Sequence, residues 1–536
     1  MLDLLFIPLF VVYFGILASL FIFGANFFHL TVIAVRSGGA TPPSAVPDEW
    51  PAIAVQLPIY NEMYVARRLI DAVAHFDYPR DRLEIQVLDD STDETRAIVN
   101  QAVEYWRARG LAISVLRRDD RVGFKAGALA AAFDKTEAAY LALFDADFVP
   151  PSDFLKRAYP VLHADAGLAF VQTRWGHTNR TRSMLTFLQS LSIDGHFSIE
   201  QHARWRAGYF FNFNGTAGIW RRQALLDAGG WTPDTLTEDL DVSYRAFLKG
   251  WRAAYLREVE SPAELPMSFD AYRCQQQRWA QGSFQCAIKH IPAVWRSDFP
   301  WWHKVQATLH LAGYSIHLLL LALCFLYPLL LAEATRHPTL LSLVSFMALC
   351  NVAGMAPLAL FTTAQQQLGR RWLRLMPMVL LLSLLGAGMM LTTARAALRA
   401  FSGRHDGFVR TPKFGMGNDG NDWMHLRYQN PVDVIVVAEL GIAALNFYTS
   451  FTALNHGAWP IAFYSAVFGF GLLFTAGCTI SQGLRRRLKA QGPARPGRNR
   501  GRSFAHERRV TADAEPYDYA AALRPRSGGP GDGRLL

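Results

Sequence analysis

Long charge-free apolar runs and short-period apolar runs occupy separate regions of this chain. Leu4–Val35 carries no formal charge and exceeds the roughly 20 residues that span a bilayer. It opens with Asp3 instead of basic residues, and its apolar core is too long for a cleaved signal peptide. Arg36 follows at once, which places the N-terminus outside and the next region in the cytoplasm. Five more apolar runs come later, at about Val305–Ala332, Thr339–Ala364, Leu375–Ala394, Val434–Leu454 and Trp459–Ser481. The tail begins with Arg485, Arg486, Arg487 and Lys489, so it belongs in the cytoplasm with the large polar region, and the crossings between them must be even in number. Leu375–Ala394, flanked by Arg370, Arg371 and Arg374 before and Arg395, Arg399 and Arg404 after, is the run expected not to cross. Five spans result.

From about Pro51 to Trp302 the period changes. "IAVQLP", "EIQVLDD", "AISVL" and "YLALFDAD" are strand-type runs, each but the third closing on polar or acidic residues. Helix-type stretches separate them, at Met63–Phe76, Asp93–Arg109, Lys125–Asp134 and Pro151–His163. This alternation predicts an α/β domain with a parallel sheet covered by helices on both faces. Ligands bind such sheets beyond the carboxyl ends of the strands, which is where the acidic clusters fall.

Composition narrows the class. Half of the 536 residues are apolar, yet 18% are charged, too many for an all-membrane protein. The net charge of +10 sits largely beside apolar segments and in the tail, which membrane topology explains better than nucleic acid does. The five cysteines form no C-x-x-C pair and read as small buried hydrophobes.

The acidic clusters carry the candidate chemistry, and each has a plain alternative. In "VLDDSTDET", Ser91 and Glu94 fit a capping box, which leaves Asp89 and Asp90 unexplained. In "FDADF", Asp145 and Asp147 stand so close that, at ~4 Å and an effective dielectric near 20, they would repel by about 4 kcal/mol. A magnesium or manganese ion would remove that cost and could also hold phosphates, although many turns contain a D-x-D. In "LTEDLDVSYRAFLKGW", Asp239 and Asp241 open an amphipathic helix that Thr237 could cap. "GFKAGAL" offers Lys125 beside glycines, and "FNGTAG" is a small-residue loop that a ligand could approach closely. "YRCQQQRWAQG" crowds hydrogen-bonding side chains beside Trp279 just before a long apolar run, and an interfacial helix could carry them for no chemical purpose.

In order, "VQLPIYNE", "QVLDDSTDET", "GFKAGAL", "FDADF", "FNGTAG", "TEDLD" and "QQQRW" resemble the motif series of processive family 2 glycosyltransferases, the cellulose synthase superfamily, over about Ala52 to Lys413. The wording is most similar to the mannan and glucomannan synthase-like branch. The resemblance implies a GT-A-type nucleotide-sugar-binding domain set into an α-helical transmembrane domain. It implies an inverting transfer from GDP-mannose or UDP-glucose to a growing β-linked, β-1,4 in expectation, mannan, glucomannan or glucan that is then exported. Carried over by residue, Tyr60, Glu62 and Asp90 contact the nucleoside with Lys125 nearby. Asp145 and Asp147 bind the diphosphate, Asp147 through Mg2+ or Mn2+, and Asp239 is the general base. Gln275, Arg278 and Trp279 form "QxxRW": Arg278 a fixed cation for the leaving diphosphate, Trp279 a stacking face for the acceptor sugar, Gln275 a partner for hydroxyls. In "FVRTPKFG", Phe408, Thr411 and Lys413 match a loop that covers the site when donor is bound, while Arg410 stands where valine is usual.

The expected organisation is a transmembrane helix at 1–36, a cytoplasmic catalytic domain at 51–275, amphipathic interfacial helices at 276–304 and two transmembrane helices at 305–364. An interfacial segment and gating-type loop at 370–430, two transmembrane helices at 431–484 and a basic disordered tail at 485–536 complete it. The tail, Pro/Gly/Arg-rich after Lys489, is too short for a cyclic-dinucleotide domain, so no such control is expected. The expected location is the plasma (inner) membrane, multi-pass, with the bilayer, donor and growing polysaccharide as partners and no nucleic acid. Two other readings stand beside this one: a transferase extending a lipid-linked or short acceptor, and a transporter or scaffold that binds without catalysis.

Overall fold

The computed structural model describes residues 3–334, 338–349, 352–403, 410–415, 424, 427–428 and 433–491. Seven strands form one sheet: β1 (Ile53–Ile59), β2 (Leu83–Asp89), β3 (Ala112–Leu116), β4 (Tyr140–Leu143), β5 (Leu168–His177), β6 (Gly218–Arg221) and β7 (Arg252–Ala263). Their order is β3-β2-β1-β4-β6-β5-β7. The four strands legible in the sequence pair in parallel, with Ile59 opposite Asp89 and Val55 opposite Ala142. The sheet as a whole is mixed, because β6 runs antiparallel to both β4 and β5.

Period-2 alternation distributes the strand residues between two cores. Ile53, Val55 and Leu57 of β1 and Ala142 of β4 pack with Leu69, Val73, Val99, Val103 and Phe154 from helices on one face. Ala54, Leu141 and Leu143 face the other way, among Leu129, Trp220, Tyr244 and Phe247. Gln56 and Gln86 are buried in adjacent strands, and the Gln56 Nε2 group donates to Gln86 Oε1 at 3.0 Å.

The four expected helices are Ala66–Ala74, Thr95–Arg107, Phe124–Phe133 and Phe154–Ala164. Two caps differ from expectation. No side chain at Glu94 caps the Thr95 helix; Asp93 Oδ1 accepts from Thr95 N at 2.9 Å, and Ser91 Oγ accepts instead from Asn61 N at 2.9 Å. Thr237 makes no side-chain cap on the helix Glu238–Leu248; its side chain packs against Gly282 and the Cys286 thiol. In both places a partner distant in sequence displaces the local one.

Among the described residues, four helices are long and apolar enough to cross a membrane: Ile7–Ser37, Ser315–Glu333, Val436–Asn455 and Trp459–Arg486. The run expected to cross at Val305–Ala332 is broken at residues 312–314, where Trp301–Leu311 ends and Ser315–Ala334 begins. The run at Thr339–Ala364 contains two helices of 12 residues, Pro338–Leu349 and Ala356–Gln367, the second beginning with a proline in its first turn. Trp372–Gly388 and Met390–Phe401 are bent by 41° into a broken span or re-entrant pair. The helix Phe269–Arg296, which holds "QQQRW", docks on the last two spans. Arg273, 1% exposed, bonds Glu439 at 2.7 and 3.2 Å and Thr479 at 3.1 Å. Phe269 N donates to Gln482 at 2.7 Å.

Candidate active site

The carboxyl ends of β1, β2 and β4 line up, and the residues that follow them build one edge of the site. After β1, Asn61 adopts a left-handed φ of 53° and its Oδ1 accepts from Thr92 N at 2.8 Å, which ties the β1 end to the β2 end. Tyr60 and Glu62 flank it. After β2 the paired acids diverge: buried Asp89 bonds Arg117 at 2.6 Å, while Asp90 is held by Arg118 through two guanidinium nitrogens. The Arg121 guanidinium lies 3.3 Å from the Tyr60 ring centre.

After β4, Asp145 N donates to Thr216 Oγ1 at 2.9 Å, which joins "FDADF" to the "FNGTAG" loop. Lys125 enters from the first turn of the Phe124 helix. Its ammonium is 2.6 Å from Asp145, 2.8 Å from the Gly215 carbonyl and 3.7 Å from Glu238. Burial works against that ammonium, but Asp145 and Glu238 outweigh it and hold its pKa above the ordinary value. Gly215 has φ +77°, and a Cβ there would lie 2.9 Å from Asp239 Oδ2 and 3.2 Å from Lys125 Nζ. Glycine is therefore what allows the Asp239 carboxylate to approach the Lys125–Asp145 pair.

Burial and the neighbouring Glu238 raise the Asp239 pKa to about 7, with Lys125 opposing. Asp145 is also raised, by burial and by Asp147 and Glu238 against Lys125. Arg278 sits in the field of Glu238, Asp145, Asp239 and Asp147; burial nonetheless lowers its pKa from the ordinary arginine value. One locus therefore gathers Lys125, Asp145, Asp147, Asp239 and Arg278. Trp279 and Gln275 are half-buried on the same helix, next to Arg278 and three positions before it.

Beside this locus, residues 410–415 lie across the acids. Lys413 Nζ bonds Asp147 Oδ2 and the Glu264 carbonyl, and Phe414 N donates to Glu264 Oε1 at 2.7 Å. Arg410 pairs with Glu62 at 3.5 Å, donates to the Tyr60 carbonyl at 3.1 Å and stacks on Tyr428 at 3.9 Å. Burial pushes the Glu62 pKa up to about 8, Arg410 opposing and Asp147 adding to it. Thr411 is buried; Phe408 lies outside the described residues. Glu238, Glu264, Arg68 and Arg118 belong to the site without having been singled out in the sequence. Glu238 had a signal, its place inside "TED"; the other three come from separate elements.

For a divalent cation, Asp145 and Asp147 offer hard oxygen donors in an acid-rich locus, a set that fits magnesium or manganese. Among the described residues, the one group of three His, Cys, Asp or Glu donors within 4.8 Å of one another lies elsewhere, at Asp241, Cys286 and His290. The D-x-D pair would thus leave most of an ion's coordination to water and phosphate oxygens.

Residues 51–282 match the family model described as "Glycosyltransferase like family 2". This region is a family 2 glycosyltransferase domain. The chain is 41% identical over 261 residues to glucomannan 4-beta-mannosyltransferase 2 of Arabidopsis thaliana (48% of this chain, 49% of that one). A second relative, glucomannan 4-beta-mannosyltransferase 1 of Oryza sativa subsp. japonica, is 40% identical over 262 residues (48% and 50%). The chain spans about half the length of the curated relatives it matches. Among solved structures, the mannosyltransferase PcManGT from Pyrobaculum calidifontis, in complex with GDP-Man and Mn2+, is 22% identical with a TM-score of 0.44, covering 74% of this chain and 99% of that one. The mixed seven-stranded sheet of the glycosyltransferase domain is of the GT-A-like type, flanked by apolar helices.

Proposed function

We propose that this chain is a membrane-embedded inverting hexosyltransferase that builds a β-1,4-linked mannan or glucomannan from a nucleotide sugar and passes it into the bilayer-spanning helices. The observation that carries the reading is the convergence of Asp239, Lys125, Asp145 and Arg278 at one locus. Asp239 accepts the proton of the attacking acceptor hydroxyl, a role typically worth 10²–10⁴-fold in rate. Its pKa of about 7 matches that task, being low enough to ionise and high enough to hold a proton. Arg278 and Lys125 supply fixed positive charge to the departing diphosphate. Asp145 and Asp147 would hold Mg2+ or Mn2+, which supplies further charge to the phosphates. Trp279 offers its flat face to the terminal acceptor sugar and Gln275 its amide to hydroxyls, while Tyr60, Glu62 and Asp90 take the nucleoside.

The relatives' names favour mannose, so GDP-mannose is the proposed donor and UDP-glucose the competitor. Residues 410–415 form the loop that covers the donor, with Lys413 on Asp147 and Thr411 in the same segment; Phe408 completes the proposed motif in the sequence. The domain is placed on the cytoplasmic side of the plasma (inner) membrane. Incubating membranes with radiolabelled GDP-mannose and UDP-glucose, followed by linkage analysis, tests the whole reading. Long insoluble β-1,4 polymer supports it. Short lipid-extractable product would replace it with single or few transfers, and no product from either donor would end it.

A further inference from the structure

The Glu238–Leu248 helix carries a second carboxylate, Asp241, for which the reaction has no use. Asp241 is fully buried. Its Oδ1 takes His290 Nε2 and Lys289 Nζ, each at 2.7 Å, and its Oδ2 takes Arg245 Nε at 2.8 Å and Thr232 Oγ1 at 3.0 Å. His290 and Lys289 belong to the Phe269–Arg296 helix, the one that presents Arg278 and Trp279. Asp239 and Asp241 are two positions apart on a helix of 3.6 residues per turn, so they point to opposite sides: one into the locus, the other onto the partner helix. The same seam continues toward Arg278. Leu236 N donates to Gln285 Oε1 at 2.9 Å, and Gly282 lies so close to Thr237 that a Cβ there would come within 2.5 Å of it.

We propose that Asp241 and His290 form a clamp that positions the Asp239 base against Arg278 and Trp279. Cys286 Sγ lies close enough to make the group a candidate metal site, but the carboxylate is already taken by four donors, three of them on basic side chains. The inference rests on the transferase reading. It is tested on the purified full chain in lipid nanodiscs, with GDP-mannose as donor and short β-linked mannan oligosaccharides as acceptors. Asp241→Asn should bind GDP-mannose within twofold of the unaltered chain by calorimetry, while kcat for transfer falls about 10²-fold, the typical cost of a 1 Å misplacement. Hydrolysis of donor by water, which needs less orientation, should fall less, so the hydrolysis-to-transfer ratio rises. His290→Gln, which keeps an N–H donor, should retain transfer within severalfold, and His290→Leu should lose it as Asp241→Asn does; this pair carries the test if Asp241→Asn does not fold. Transfer within threefold of normal in Asp241→Asn or His290→Leu overturns the clamp. So does loss of GDP-mannose binding in step with kcat, or stoichiometric zinc in the purified chain. An unaltered chain inactive with both GDP-mannose and UDP-glucose defeats the transferase reading itself, which is a different result.

Discussion

At Asp239, burial and the adjacent Glu238 raise the pKa to about 7 while Lys125 opposes them, so the carboxylate is ionised mainly above that pH. A general base must be ionised to accept a proton. The transfer rate should therefore fall as pH drops through about 7 and level off above it, a limb that a pH–rate profile at saturating donor would reveal. Asp239→Asn should lower kcat by at least 10²-fold while calorimetry still detects donor binding; near-normal turnover would remove the base assignment. At this scale the sequence was informative where an acid had no local use. Asp145 and Asp147 stood out because they follow an apolar run, and Asp239 because it opens an amphipathic helix within "TEDLD". Glu264 and Arg68 did not, because their partners are far away in the chain. Capping, the plain alternative for Ser91 and Thr237, fails because a hydroxyl bonds as well to a distant backbone or thiol as to its own helix.

Two elements carry the proposed access and alignment. Residues 410–415 place the Lys413 ammonium on Asp147, where a divalent cation would also bind. Lys413→Ala should tighten Mn2+ binding to the donor-free chain roughly tenfold, since unit charges at ~4 Å interact by about 1–4 kcal/mol across effective dielectrics of 80 to 20. Titration of the Mn2+ paramagnetic resonance signal would measure this, and unchanged affinity would show that the ammonium does not compete. Arg410, at a position where valine is usual in the resembling family, anchors the same segment through Glu62 and the Tyr60 carbonyl. The other element is the Phe269 helix, fastened to the last two spans by the buried Arg273–Glu439 pair. Glu439→Ala leaves a buried guanidinium without its counter-charge and should cost about 3–5 kcal/mol, seen as a lowered unfolding midpoint in detergent; reversing both charges should recover part of it. Strands β1 to β4 were legible from their short apolar runs. Strands β5 and β7 were not, because charged residues such as Arg174 and Glu260 interrupt the alternation and are stabilised by pairing with each other across the two strands.

Across the whole molecule, the helix that carries Arg278 is fastened to apolar helices whose number of crossings depends on the bent pair Trp372–Gly388 and Met390–Phe401. Arginines on both flanks of that pair argue that it enters and leaves on one side, and the tail then returns to the cytoplasm only if Pro338–Leu349 and Ala356–Gln367 cross together as one broken span. A reporter fused after Ala458 should then lie outside and one fused after Lys413 in the cytoplasm; the opposite result at either point rejects that topology.

Apolar periodicity alone determined that this chain joins an α/β domain to membrane helices, because burial against lipid and burial against a sheet demand different spacings of hydrophobic residues. Motif order likewise singled out the acids, the arginine and the indole proposed for the site. Only the tertiary structure decided which of them meet, since Lys125, Asp145, Gly215, Asp239 and Arg278 come from five segments brought together by strand order and helix docking. It also broke the run at Thr339–Ala364 into two short helices, where local backbone geometry overrides average hydropathy.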